Sequence, residues 1–185
     1  MDDAPSSWIV RWSHLVPPEG AVLDVACGSG RHMRWFSQRG HRACGVDRAP
    51  EALATAAEWG ETLLADIESG PWPFTGRHFD AVIVTHYLWR PRLPDIVAAL
   101  APGGVLLYET FAAGNETVGK PSRADFLLAP GELLTACAGL RVVAYEDGFL
   151  ESPARFVQRI AAVRHPAPTL TAPARHRLQA APADR

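Results

Sequence analysis

The chain has 185 residues, 48% of them hydrophobic and 21% charged, with a formal net charge of −2. That length allows one domain with a full core and leaves little room for a second. The near-neutral charge disfavours a broad nucleic-acid surface, and no run approaches the roughly 20 apolar residues of a membrane span.

The three cysteines, Cys27, Cys44 and Cys137, form no CxxC pair, and the start MDDAPSSWIVRW lacks the apolar core of a signal peptide. Reduced thiols and a cytoplasmic location are therefore expected. Lys120 is the only lysine among many arginines, which reads as a composition bias.

In chain order, residues 1–20 read as an N-terminal arm in which Trp8, Trp12 and Leu15 share one helix face. Val22–Ala26 is continuously apolar, as a strand buried on both faces of a parallel sheet must be. Arg31–Arg39 reads as a helix stopped by Gly40. Ala43–Asp47 is a second strand, and Pro50 opens a helix to about Trp59, because proline is tolerated in a first turn. Thr62–Asp66 is a third strand, Phe79–Val84 a fourth and residues 105–109 a fifth, with a helix over Pro94–Leu100 before the last. A long loop, Thr110 to Ala129, is of the length that often carries function. A helix around Glu132–Ala138 follows. Arg141–Tyr145 and Phe156–Val163 are predicted to pair antiparallel across an Asp147-Gly148 turn. Residues 1–165 thus read as one domain, and 166–185, rich in proline, alanine and charge, as a disordered tail.

Alternating strands and helices imply an α/β fold with a doubly wound sheet, whose ligands sit beyond the carboxyl ends of the strands. The first strand carries Asp24 and leads into Ala26-Cys27-Gly28-Ser29-Gly30. The second ends in Asp47, the third in Asp66-Ile67, the fourth in Thr85-His86-Tyr87 and the fifth in Tyr108-Glu109-Thr110. Gly28 and Gly30 permit a tight turn and close approach to a ligand. The dinucleotide pattern GxGxxG fails, because Met33 occupies the third glycine position. Asp47 is placed to accept both ribose hydroxyls, which serves NAD and an adenosine-containing methyl donor equally. Asp66 is placed to accept an adenine amine, with Ile67 against the ring.

On these residues the chain resembles the class I S-adenosylmethionine-dependent methyltransferases. VLDVACGSG, GVDRAPEALATA, LLADIE, FDAVIVTHYLW and LAPGGVLLYETF are similar to that family's motifs in order and spacing, over Val22 to Val163. The resemblance implies a Rossmann-like, seven-stranded mixed sheet, mostly parallel, with an antiparallel C-terminal hairpin. It implies S-adenosyl-L-methionine as cofactor and S-adenosyl-L-homocysteine as product. Asp24, Ala26, Gly28, Gly30, Asp47, Arg48, Asp66, Ile67 and His86 are the residues expected to hold the donor.

The short chain and the RGHRACGVDR segment are similar to small-molecule members of the tellurite-resistance and thiopurine types, so a small-molecule acceptor is expected. The family's Asn-Pro-Pro-Tyr signature is replaced by Thr85-His86-Tyr87-Leu88. A nucleic-acid or protein acceptor, a donor-binding protein without catalysis and an NAD(P)-dependent oxidoreductase are the alternatives. His86 is the candidate base, since histidine titrates near neutrality, and Tyr87 a lining residue or weak acid. Tyr108, Phe111, Asn115 and Arg123 are expected to meet the substrate. The histidines show no metal-ligand spacing, and no metal is expected.

Overall fold

The apolar strands pair into one seven-stranded sheet of order β3-β2-β1-β4-β5-β7-β6. The computed structural model describes residues 4–165 and 174–179. The strands are β1 Ala21–Val25, β2 Arg42–Asp47, β3 Glu61–Leu64, β4 Phe79–Thr85, β5 Leu100–Phe111, β6 Leu140–Glu151 and β7 Ala154–Arg164. The first five run parallel, and β7 runs antiparallel to both β5 and β6. This is the mixed Rossmann-like sheet implied by the resemblance.

The helices are short: α1 Ser7–Trp12, α2 Arg31–Ser37, α3 Pro50–Ala56, α4 Leu93–Ala98 and α5 Glu132–Ala136. Each expected helix is present but ends earlier, and Leu100 belongs to β5 rather than to the helix before it. Both faces of the sheet are covered, which is why β1 and β4 lack alternation. On one face Trp8, Ile9, Trp12 and Phe36 pack against Val22, Ile83, Val105 and Leu107. On the other, Ile96 and Leu133 pack against Leu23, Val25, Val82 and Leu106. Among the described residues, no helix is long and apolar enough to cross a membrane.

The C-terminal hairpin turns at Ser152-Pro153, not at Asp147-Gly148. Asp147 and Gly148 lie inside the ladder, opposite Gln158 and Val157. Pairing continues past them because Phe149 meets Phe156 across the strands at 4.9 Å, a contact that a turn at Asp147 would forfeit. The tail expected over residues 166–185 lies mostly outside the described residues. Within 174–179, the carbonyl of Arg177 lies 3.0 Å from His14 Nε2.

Candidate active site

The turn after β1 takes left-handed backbone at Ala26 (φ 54°), Gly28 (φ 54°) and Gly30 (φ 80°). The Gly28 N–H donates to Asp47 Oδ2 at 2.8 Å, and the Ala49 N–H donates to Oδ1 at 2.9 Å. One carboxylate therefore ties the glycine turn to the end of β2, and each oxygen keeps a further lone pair for a ligand. The two glycines have different uses. A Cβ on Gly28 would meet nothing, whereas one on Gly30 would lie 2.9 Å from the Ala56 Cβ. Gly30 thus admits α3 rather than a ligand.

Beside this turn opens a cavity of about 210 Å³, lined by Ala26, Asp47, Arg48, Asp66 and Ile67 of the residues expected to hold the donor, together with Glu68 and Tyr87; Asp24, Gly28, Gly30 and His86 do not line it. Asp66 accepts from the N–H groups of Glu68 (2.9 Å) and Ser69 (3.3 Å) and from the Ser69 hydroxyl (2.5 Å). These donors, the hydroxyl foremost, hold its carboxyl below the usual aspartate range. Asp24 is buried, and its Oδ2 has no hydrogen-bond partner among the described residues. His32 Nδ1 stands 3.7 Å from it, while His32 Nε2 accepts the Ser6 N–H at 3.1 Å. The N-terminal arm is thereby fastened over the strand ends.

A second cavity of about 250 Å³ adjoins the first; Glu68 and Tyr87 line both, and His86, Phe111, Pro121 and Phe126 line the second. His86 sits at φ 53°, a backbone region costly for a non-glycine residue and frequent at functional sites. His86 is exposed overall, but its ring packs 5.1 Å from Phe111, and Arg155 Nη1 lies 3.4 Å from its Nε2. Desolvation first, then the charge of Arg31, brings its pKa down to about 4. Burial pushes the Tyr87 phenol up, so it stays protonated, and its hydroxyl has no hydrogen-bond partner among the described residues.

Three expected substrate residues lie elsewhere. Tyr108 is buried in the core and donates its hydroxyl to the Tyr87 carbonyl at 2.8 Å, so it supports the wall from behind. Asn115 is buried too. It donates to the Pro121 carbonyl at 2.9 Å and accepts the Phe156 N–H at 3.2 Å, pinning the loop to β7. Arg123 is exposed, pairs with Asp125 at 2.8 Å and stacks 5.4 Å over Phe126. Phe111 alone of the four lines the cavity. His86, expected both to hold the donor and to act in catalysis, lines only the second cavity.

Sequence reading passed over Glu68 and Arg155, and placed Glu109 only among the strand-end residues that converge on the cleft. Glu109 is fully buried and is held by Arg159 at 3.2 Å and by the Ser6 hydroxyl at 3.1 Å, with Arg155 at 3.9 Å. A charged residue at the end of a buried strand was the available signal, since such a group requires partners.

The fold is that of S-adenosylmethionine-dependent methyltransferases. Residues 22–104 match the methyltransferase domain family. Over 141 residues the chain is 32% identical to a malonyl-[acyl-carrier protein] O-methyltransferase of Serratia marcescens, covering 67% of this chain and 54% of that one. It is 33% identical over 122 residues to a tRNA U34 carboxymethyltransferase of Hahella chejuensis, covering 57% and 37%. The chain thus spans about half the length of the first relative and less of the second. In fold it is similar to TehB from Haemophilus influenzae, with TM-score 0.66 and 21% identity over 82% of this chain and 60% of that one. S-adenosylmethionine is the cofactor that this domain and fold imply.

Proposed function

We propose that the protein transfers a methyl group from S-adenosylmethionine to a small-molecule acceptor, acting as one domain over residues 1–165. The observation that carries this reading is the pair of small cavities meeting at Glu68 and Tyr87. The residues of the first fit the donor. Asp47 has lone pairs for ribose hydroxyls, and Asp66 and Ile67 suit an adenine edge and face. When bound, the donor supplies a sulfonium-activated, electrophilic methyl carbon. The chain's own part is to place the acceptor in line and exclude water, which contributes several kcal/mol without acid–base help.

A small acceptor is favoured by the size of the second cavity, about 250 Å³, and by its cover of Phe111, Pro121 and Phe126. The Serratia relative is an O-methyltransferase, which supports oxygen as the accepting atom. Calorimetry with S-adenosylmethionine, S-adenosylhomocysteine and NAD tests the donor; binding of NAD alone would overturn the reading. Turnover on small acceptors, with RNA in parallel, tests the acceptor. Activity on RNA alone, falling steeply with salt, would replace the small molecule.

A further inference from the structure

We propose that Glu68 takes up the proton released in the reaction, and that the methyl acceptor is a phenol, a single aromatic ring carrying a neutral hydroxyl. This rests on the methyltransferase reading above and names its base and its substrate class.

The walls of the second cavity are mostly rings. Phe111, Phe126, Tyr87 and His86 line it with Leu88 and Pro121, and the His86 and Phe111 rings lie 5.1 Å apart, the spacing of an aromatic pair. Its volume, about 250 Å³, falls below the roughly 300–1,000 Å³ of pockets for drug-sized ligands. That leaves room for one ring and its substituents. Glu68 is the one charged residue among those that line it. Arg155, beside His86, does not line it and has Glu109 as an ion-pair partner at 3.9 Å. An anionic acceptor would therefore meet like charge, and a protonated amine has no lone pair to attack with. A neutral hydroxyl fits both conditions, and its attack releases a proton. A phenol, at a pKa of about 10, gives up that proton to a carboxylate far more readily than an alkanol, which lies near water at about 16.

Charge decides where the proton goes. Tyr87 is held protonated by burial, and Thr110 is an alcohol. Protonating His86 would set an imidazolium 3.4 Å from Arg155 Nη1; desolvation first, then Arg31, already brings its pKa down to about 4. Protonating Glu68 removes a charge instead. Its carboxylate lines both cavities and stands 3.8 Å from Arg48, whose side chain is 70% exposed, so that solvent screens the pair. The phenol oxygen's lone pair forms the bond to the methyl carbon as the carbon–sulfur bond breaks, with the bonding pair left on sulfur. The hydroxyl proton passes to Glu68 and from there to water. Before the step the site holds a sulfonium and a carboxylate; after it, a thioether, an aryl ether and a carboxylic acid, all neutral. A site that burial withdraws from water favours that cancellation.

The test uses the full chain and single-ring probes: p-cresol, p-nitrophenol, p-toluate and cyclohexylmethanol. The wild type should methylate p-cresol in preference to p-toluate and cyclohexylmethanol. Glu68→Gln should lower kcat/KM on p-cresol by about 100-fold, within the range of acid–base catalysis. On p-nitrophenol, already ionised at the assay pH, the same variant should hold level or rise, because no proton has to leave and a negative charge has gone. Damage to folding or to donor binding lowers both alike, so a structural role does not produce this split. Glu68→Asp should recover part of the p-cresol activity, and His86→Asn should show no split. Equal losses on the two phenols in Glu68→Gln overturn the proposal. So does a split that appears in His86→Asn instead, a preference for p-toluate or cyclohexylmethanol, or no turnover on either phenol. With the donor bound in calorimetry, each of those results leaves the methyltransferase reading intact. Failure of the wild type to bind the donor removes that reading, and the base and acceptor class with it.

Discussion

The side of the sheet proposed to hold the donor, β1 to β3, and the side proposed to hold the acceptor, β4 to β7, are built by different means. On the proposed donor side two carboxylates are held by backbone of the same three strands and their turns: Asp47 by Gly28 and Ala49, Asp66 by Glu68 and Ser69. On the acceptor side the partners come from distant sequence: His86 with Arg155, Asn115 with Phe156, and Ser6 with Glu109 across 103 positions. A locally held site survives as a motif, whereas a site assembled over long range depends on the whole fold. Removing one residue from each side should therefore produce different failures.

Asp47→Ala is the strongest test. Two hydrogen bonds to a charged acceptor, at about 1.5–3 kcal/mol each, predict a loss of donor affinity of roughly 100-fold or more. Asp47→Asn should fall between, since it keeps one acceptor oxygen. Calorimetry on folded protein decides the matter. Unchanged affinity in Asp47→Ala would leave the carboxylate as a clasp for the glycine turn and would collapse the contrast between the two sides.

Gly30→Val tests the other half of the donor side, its packing. A Cβ there meets Ala56 at 2.9 Å and φ is 80°, so strain and overpacking add to about 2–4 kcal/mol. At about 2–4 °C per kcal/mol for a chain of this length, the melting temperature should drop by roughly 4–16 °C. Gly28→Ala has the positive φ without the clash and should cost less stability. Equal losses would mean that backbone conformation, not the approach of α3, is what Gly30 provides.

These two variants act on features legible in the sequence. Asp47 stood out because a carboxylate closing an apolar strand has few structural reasons to be there, and the sheet's topology says where it points. The hairpin turn was misread because Asp-Gly is a local signal, and the ladder through Asp147 and Gly148 is stabilised from across the strands by Phe156. Tyr108 and Asn115 were expected at the substrate because they lie near the end of the fifth strand or in the long loop. Which way they face is set by Tyr87, Pro121 and Phe156, and no local pattern encodes that. Arg155 was invisible for the same reason, being paired with a histidine 69 residues away.

Asn115→Ala is the matching test on the acceptor side. It unties the loop from β7 and leaves the Phe156 N–H without its acceptor, at about 1–3 kcal/mol. The expected outcome is a higher KM for the acceptor, a modest fall in melting temperature and unchanged donor affinity by calorimetry. Weakened donor binding would join the two sides into one cooperative unit and remove the distinction.

The smallest effect is expected at Asp66, which is exposed and already accepts three hydrogen bonds. An adenine amine would compete there with the Ser69 hydroxyl, so Asp66→Ala should weaken donor binding only a few-fold, within the range of a single net hydrogen bond. The companion variant gives the sign. Ser69→Ala releases Asp66 Oδ2 from its hydroxyl donor, and if that oxygen serves adenine, donor affinity should stay level or rise. If Ser69→Ala instead weakens binding as much as Asp66→Ala does, the carboxylate acts by shaping the turn through Glu68 and Ser69. The adenine edge would then be read by backbone and by Ile67 alone.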